Sequence, residues 1–183
     1  SVEETITELI KEVRKVAEEV KKSNKEVIEE SEEALKELER THTELSEEVR
    51  KVLRELEEEV KDEDTLRRIR KAIRDLDEEN KRVLERVRKN VKEDIERLRE
   101  NLKRNEELAR RVIRELEKVM RVDKKEVVTE VVKEVKKRLE ESKDDSRRVM
   151  EESRRNLKKL REESKRVVEE LRRELRRLKE EVR

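Results

Sequence analysis

The chain has 183 residues, of which 54 are Lys or Arg and 53 are Asp or Glu, so its net charge is only +1 although 58% of its residues are charged. Gly, Pro, Cys, Phe, Trp and Tyr are absent, and apolar residues make up 30%. The lack of cysteine excludes a disulfide framework and the usual zinc or iron–sulfur sites. The balanced charge and the lack of aromatic side chains argue against a nucleic-acid-binding protein, and no apolar run is long enough to span a membrane.

Apolar residues follow a helical pattern from the beginning of the chain. They are spaced alternately four and three residues apart, as in Val2, Ile6, Leu9, Val13, Val16 and Val20. The pattern repeats every 18 residues, as in the series Val2, Val20, Leu38 and Leu56. Because 18 residues make about five helical turns, this period predicts nearly straight helices with little supercoiling.

Two breaks in this pattern are expected, although no Gly or Pro marks them. The first lies at the polar run 61–65, which contains residues typical of a helix N-cap. The second lies at 121–123, where Asp123 and Glu126 fit a capping box and Val122 and Val127 fit a hydrophobic staple. Ser1 and Glu4 fit a capping box as well.

The angular position of the apolar stripe supports both breaks. On one continuous helix, the stripe would rotate by about 150° at the first break and by about 120° at the second. The sequence therefore predicts three helices, at about 1–61, 63–121 and 124–183, each roughly 90 Å long. Short connections favour antiparallel neighbours, so we expect an all-α, elongated, up-down-up three-helix bundle that forms a single domain over residues 1–183.

Small polar residues occupy positions within the apolar stripes. With short connections, residue i of the first helix is expected to face about residue 125 − i of the second and about residue i + 121 of the third. In this register the polar residues lie at three heights along the bundle axis. The first set is Ser23, Asn24, Asn101, Asn105, Ser142 and Ser146. The second set is Ser31, Asn90, Asp94, Ser153 and Asn156. The third set is Thr41, His42, Ser46, Asn80 and Ser164. We expect three buried hydrogen-bond networks, because an unpaired buried hydroxyl or amide costs about 1–3 kcal/mol.

No combination of residues in the sequence predicts a catalytic, cofactor or metal site. His42 is the single histidine, and the Ser, Thr and Asn residues at its height are poor ligands for zinc or copper. Asp94 is expected to be a hydrogen-bond acceptor within the second set or a residue at the rim of the stripe, and Asp77, near the stripe edge, completes no site. No serine is expected to lie against a base in the manner of a catalytic triad.

These features resemble de novo designed, parametrically generated three-helix bundles with buried hydrogen-bond networks. The 18-residue series, the Ser/Asn/His layers and the Asp123–Glu126 capping box carry the resemblance, which covers all 183 residues. It implies a structural scaffold without natural activity, cofactor, nucleic-acid, membrane or small-molecule partner. Alternatively, the chain is one component of a designed helical assembly, as a homo- or hetero-oligomer.

Overall fold

Three long helices make up the protein. The computed structural model describes residues 1–122 and 124–182, and these contain α1 (Val2–Glu59), α2 (Glu63–Val119) and α3 (Lys125–Val182). The described residues include no strand, and each helix packs against the other two. The expected all-α three-helix bundle is therefore confirmed, with helix ends within about three residues of the predicted ones. Within the same residues, no helix combines the length and the apolarity needed to cross a membrane.

Side chains cap the first two helices as the sequence predicts. At the start of α1, the Glu4 amide donates a hydrogen bond to Ser1 Oγ at 3.3 Å, and the Glu4 carboxylate lies 3.8 Å from the Ser1 amino group. At the start of α2, Asp62 Oδ2 accepts hydrogen bonds from the backbone amide of Thr65 at 3.3 Å and from its hydroxyl at 2.6 Å. Asp123, the predicted cap of α3, lies outside the described residues, and Val122 and Val127 are about two-fifths exposed.

The helices contribute to two compact units. Unit 1 contains Ser1–Glu30 and Asp94–Arg154, and unit 2 contains Ser31–Glu93 and Arg155–Arg183. Each unit has its own core of aliphatic side chains, as at Ile6 and Leu116 in unit 1 and at Leu45 and Ile73 in unit 2, which are all at most 2% exposed. Burial of such a side chain stabilises a fold by roughly 1.5–3 kcal/mol.

Contacts between helices establish their direction and register. In unit 2, Asn80 of α2 contacts His42 of α1, close to the predicted antiparallel partner of that position. The parallel pair α1 and α3 is joined by ion pairs between residues 124 apart in both units, namely Glu30–Arg154 and Glu48–Arg172. The predicted separation of about 121 is thus too small by up to three residues, because side chains in contact need not stand at the same height.

The N-cap at Asp62 gives a pH-dependent prediction. The hydrogen bond from the Thr65 hydroxyl, and then that from the Thr65 amide, hold the pKa of the Asp62 carboxyl below its usual value of 3.8. A lowered pKa in the folded state means that this cap stabilises α2 above pH 3.8 and that the stabilisation is lost as the pH falls through the folded-state pKa. Asp62→Asn keeps the capping oxygen but removes the titration. We expect the NMR shift of the Thr65 amide to titrate in the parent as the pH falls below 3.8 and to stay flat in the variant. A titration that persists in the variant would assign the effect to another carboxyl group.

Candidate functional site

Every predicted polar position within the stripes is buried or half-buried. The buried ones are at most 4% exposed, namely Asn24, Ser31, His42, Asn80, Asp94, Asn101, Ser146, Ser153 and Ser164. The half-buried ones are Ser23, Thr41, Ser46, Asn90, Asn105, Ser142 and Asn156. The periodicity of the sequence therefore locates these residues on inward faces.

His42 lies at the centre of a network that joins all three helices in unit 2. Its Nδ1 atom is 2.6 Å from Asn80 Oδ1 on α2, and its Nε2 atom is 2.6 Å from Ser164 Oγ on α3. The ring is fully buried. Asn80 Nδ2 donates to the backbone carbonyl of His42 at 2.8 Å and to Ser46 Oγ at 2.9 Å. This part of the third predicted set is therefore one connected network.

The positions of the protons in this network follow from the backbone. A carbonyl oxygen can only accept a hydrogen bond, so the side of Asn80 that faces the His42 carbonyl must be its amide nitrogen. Asn80 Oδ1 then faces His42 Nδ1, which must carry the proton, and in the neutral ring Nε2 accepts from the Ser164 hydroxyl. Each group consequently donates to the next in one direction: Ser164 to His42, His42 to Asn80, and Asn80 to Ser46.

Asp77 ends this chain of donors, although it lies outside the network that the apolar spacing predicts. Ser46 Oγ donates to Asp77 Oδ1 at 3.1 Å, and Lys81 Nζ lies 3.0 Å from Asp77 Oδ2. The Asp77 side chain is 19% exposed, so its charge is paired and also hydrated. The signal that could have identified it is its place at the stripe edge, within two residues of the predicted partner of Ser46.

The contact between Ser164 and His42 agrees with their predicted place in one network but corrects one expectation. The expectation that no serine lies against a base in the manner of a catalytic triad is wrong, because Ser164 Oγ contacts His42 Nε2 while Asn80 Oδ1 contacts the other ring nitrogen. The order of groups is that of a Ser–His–Asn triad. All three side chains are at most 1% exposed, however, and nucleophilic attack needs a substrate carbonyl within reach of the serine oxygen.

Thr41 does not join this network. Its hydroxyl donates to the Glu37 carbonyl at 3.0 Å, one turn earlier in its own helix. The prediction that Thr41 belongs to the third network is therefore wrong. The physical reason is that a helical Thr can satisfy its hydroxyl locally without any neighbouring helix.

The first predicted set forms a second network within unit 1. Asn101 Nδ2 on α2 donates to Asn24 Oδ1 on α1 at 3.3 Å, and Asn24 Nδ2 donates to the Val20 carbonyl at 2.9 Å. Asn105 and the serines of α3 extend it. Ser23 is half-buried, and its membership of this network stays a prediction.

Asn105 connects α2 to two serines of α3. Asn105 Nδ2 donates to the Asn101 carbonyl at 2.7 Å and to Ser146 Oγ at 2.8 Å. Asn105 Oδ1 accepts a hydrogen bond from Ser142 Oγ. Both amide hydrogens of Asn105 and the hydroxyl hydrogen of Ser142 are thus in use.

The second predicted set is divided between the two units. Asp94 and Ser153 belong to unit 1, whereas Ser31, Asn90 and Asn156 belong to unit 2. Asp94 lies within hydrogen-bonding distance of Arg97 on the same helix. The joint network of these five residues stays a prediction.

Polar groups in the described residues are thoroughly paired. Over residues 1–122 and 124–182, no buried side-chain nitrogen or oxygen lacks a hydrogen-bond partner. The same ranges contain no group of three or more His, Cys, Asp or Glu side chains placed to hold a metal ion. In these ranges the buried polar side chains therefore bond to other groups of the protein.

The hydroxyl of Ser164 has a direct energetic test. Ser164→Ala removes the donor to His42 Nε2 and leaves a buried ring nitrogen unpaired, whereas Ser23→Ala changes the same residue type in unit 1, away from the His42 network. Both substitutions gain the same helix propensity. We expect Ser164→Ala to be less stable than Ser23→Ala by about 1–2 kcal/mol in chemical unfolding. Equal stability of the two variants would contradict the role assigned to this hydrogen bond.

No protein-family model, curated protein or solved structure matches this chain. What the chain does is therefore inferred from the contacts of its own side chains.

Proposed function

We propose that this protein is a designed structural scaffold without a natural biochemical activity. Its fold is specified by Val, Leu and Ile layers that alternate with buried networks of Ser, Asn and His. The observation that carries this proposal is the His42 network, in which one buried ring joins side chains from all three helices. A polar network of this kind favours a single arrangement of helices, because other arrangements bury donors without acceptors.

The free energies of paired and unpaired buried groups indicate that the network selects one arrangement of the helices more than it stabilises that arrangement. A satisfied hydrogen bond contributes only about 0.5–1.5 kcal/mol net, whereas an unpaired buried group costs about 1–3 kcal/mol. The network therefore adds little to the native arrangement and penalises the alternatives.

Burial of the Ser–His–Asn arrangement supports a structural over a catalytic interpretation. Ser164 is 1% exposed and His42 is 0% exposed. An acyl-transfer enzyme needs an open site beside its serine, with donors for the developing oxyanion. The geometry at Ser164 is better suited to holding three helices together.

Replacement of the whole network tests the proposal. Asn80→Leu leaves the proton on His42 Nδ1 without its acceptor and removes the amide that donates to the His42 carbonyl and to Ser46 Oγ, so we expect it to lose about 2–3 kcal/mol. The quadruple variant His42→Leu, Ser46→Ala, Asn80→Leu, Ser164→Ala removes donors and acceptors together and should regain most of that loss.

Stability and structural uniqueness are then measured on the same samples. Chemical unfolding gives the free energies, and the number of amide NMR signals reports how many arrangements are populated. We expect extra or broadened signals in the quadruple variant, since its core no longer rejects alternatives. A quadruple variant as unstable as Asn80→Leu, or one with a single sharp set of signals, would overturn the specifying role.

The alternative is that the chain is an interaction component of a helical assembly. The two proposals predict different masses in solution. A scaffold that is complete by itself should have a mass of 22.4 kDa at every concentration in light scattering. A mass that rises with concentration would favour the assembly component instead.

A further inference from the structure

A groove in unit 2 lies between α1 and α2 and has a volume of about 320 Å³. Its aliphatic lining consists of Val49 and Ile73, which are both 2% exposed, and of the half-buried Leu53. The other residues that line it are charged. The groove therefore joins apolar side chains of the core to charged side chains at the surface.

Arg50 and Arg74 line this groove from different helices and lie at the same height. Ser46 of α1 bonds to Asp77 of α2. From this contact, Arg50 is one turn further along α1, and Arg74 is one turn back along α2. Because the two helices are antiparallel, both steps lead in the same direction. Two guanidinium groups therefore share one level of the groove.

Other charged contacts between α1 and α2 in unit 2 join opposite charges. Arg70 Nε lies 3.3 Å from Glu57 Oε1, and Arg88 Nε lies 3.6 Å from Glu39 Oε1. Like charges at one level repel each other instead. The two arginines thus depart from the pattern of these helices, and an anion between them would restore it.

The carboxylates of the groove do not neutralise this pair of arginines. Glu57 is paired with Arg70, and Asp77 Oδ2 lies 3.0 Å from Lys81 Nζ. With Lys81 included, four cationic side chains meet two carboxylates at the groove. Two positive charges therefore remain, whichever of these ion pairs form.

Carboxylates beside the groove are exposed to water. Glu47 and Glu78 lie about one turn from Arg50 and Arg74 on the same helices, and both are exposed and outside the groove lining. Ion pairs between exposed side chains contribute little, because water and salt screen them. These two carboxylates therefore leave the arginines available to a ligand in the groove.

The chemistry of the groove suits a ligand with an anionic end and a flat apolar body. A carboxylate accepts charge-assisted hydrogen bonds from guanidinium groups. An aromatic ring can contact Leu53 and also stack on a guanidinium plane. A volume of about 320 Å³ is at the lower end of the range for ligand sites, so the groove has room for a single ring.

We propose that this groove is a binding site for a carboxylate that carries one aromatic ring. The carboxylate lies between Arg50 and Arg74, and the ring contacts Leu53 and Ile73. The site differs from the expectation of no small-molecule ligand and is independent of the proposed scaffold function. For a ligand with so few heavy atoms, the Kd should lie in the millimolar range.

The test is an NMR titration of the full chain with benzoate at neutral pH. We expect saturable ring-current shifts at the methyl groups of Val49, Leu53 and Ile73, and linear or no shifts at the core methyl groups of unit 1. Benzyl alcohol has the same ring without the charge, and acetate has the charge without the ring. Each should bind at least about tenfold more weakly than benzoate, since each keeps only one of the two contacts.

Matched variants test the location of the site. Arg50→Gln and Arg74→Gln each remove one guanidinium group, and Arg54→Gln removes the same charge one turn along α1, outside the groove lining. All three residues are exposed, and circular dichroism with the ligand-free spectrum establishes that the variants are folded. We expect each groove variant to weaken benzoate binding by about three- to fivefold, the double variant by about tenfold or more, and Arg54→Gln by less than about twofold.

Three results would each overturn the proposal. The first is the absence of saturable shifts at the groove methyl groups of the parent. The second is binding of benzyl alcohol or acetate as tight as that of benzoate. The third is a folded double variant that binds benzoate as tightly as Arg54→Gln does.

Discussion

One backbone carbonyl determines the order of an entire network in this protein. The His42 carbonyl can only accept a hydrogen bond, so it orients the Asn80 amide, and that amide in turn sets which nitrogen of the His42 ring carries the proton. Ser164 on the third helix must then donate. Because a peptide carbonyl can only accept, it determines the hydrogen bonds of side chains on three helices. Exchanging any of these helices for another would leave the hydrogen-bonding groups of the other two unpaired.

Charges outside the core favour the same pairings. Wherever α1 is joined to α3 by Glu30–Arg154, Glu37–Arg161 or Glu48–Arg172, the carboxylate is on α1 and the guanidinium on α3. These side chains are about half exposed, so each pair contributes no more than about 1 kcal/mol. Together they favour one register of α1 against α3, because a shifted register would break several pairs at once. The networks and the ion pairs therefore penalise the same errors by different means.

The sequence predicted what depends on periodicity and missed what depends on side-chain conformation. Helices, breaks and inward faces followed from the apolar spacing and the capping residues, since these are local properties of the chain. Asp77 was left out because a carboxylate at a stripe edge looks solvated, although it accepts from Ser46. Thr41 was included because its position faces inward, although its hydroxyl bonds within its own helix. The register placed Ser164 and His42 in one network, but the ring nitrogen that contacts the serine depends on the rotamers of both residues, which spacing does not give.

Polar networks in a narrow core also have a steric consequence. Asn and Ser side chains occupy less volume than the Leu and Ile side chains around them, and their hydrogen bonds draw them toward particular partners rather than toward free volume. In unit 1, Asn105 and Ser142 bond to each other beside the small residues Ala17 and Ala109, and a void of about 20 Å³ remains there. Satisfying hydrogen bonds and filling space are separate demands on the same positions. Where they conflict, the chain satisfies the hydrogen bonds, because an unpaired buried amide is more costly than a gap the size of a methyl group.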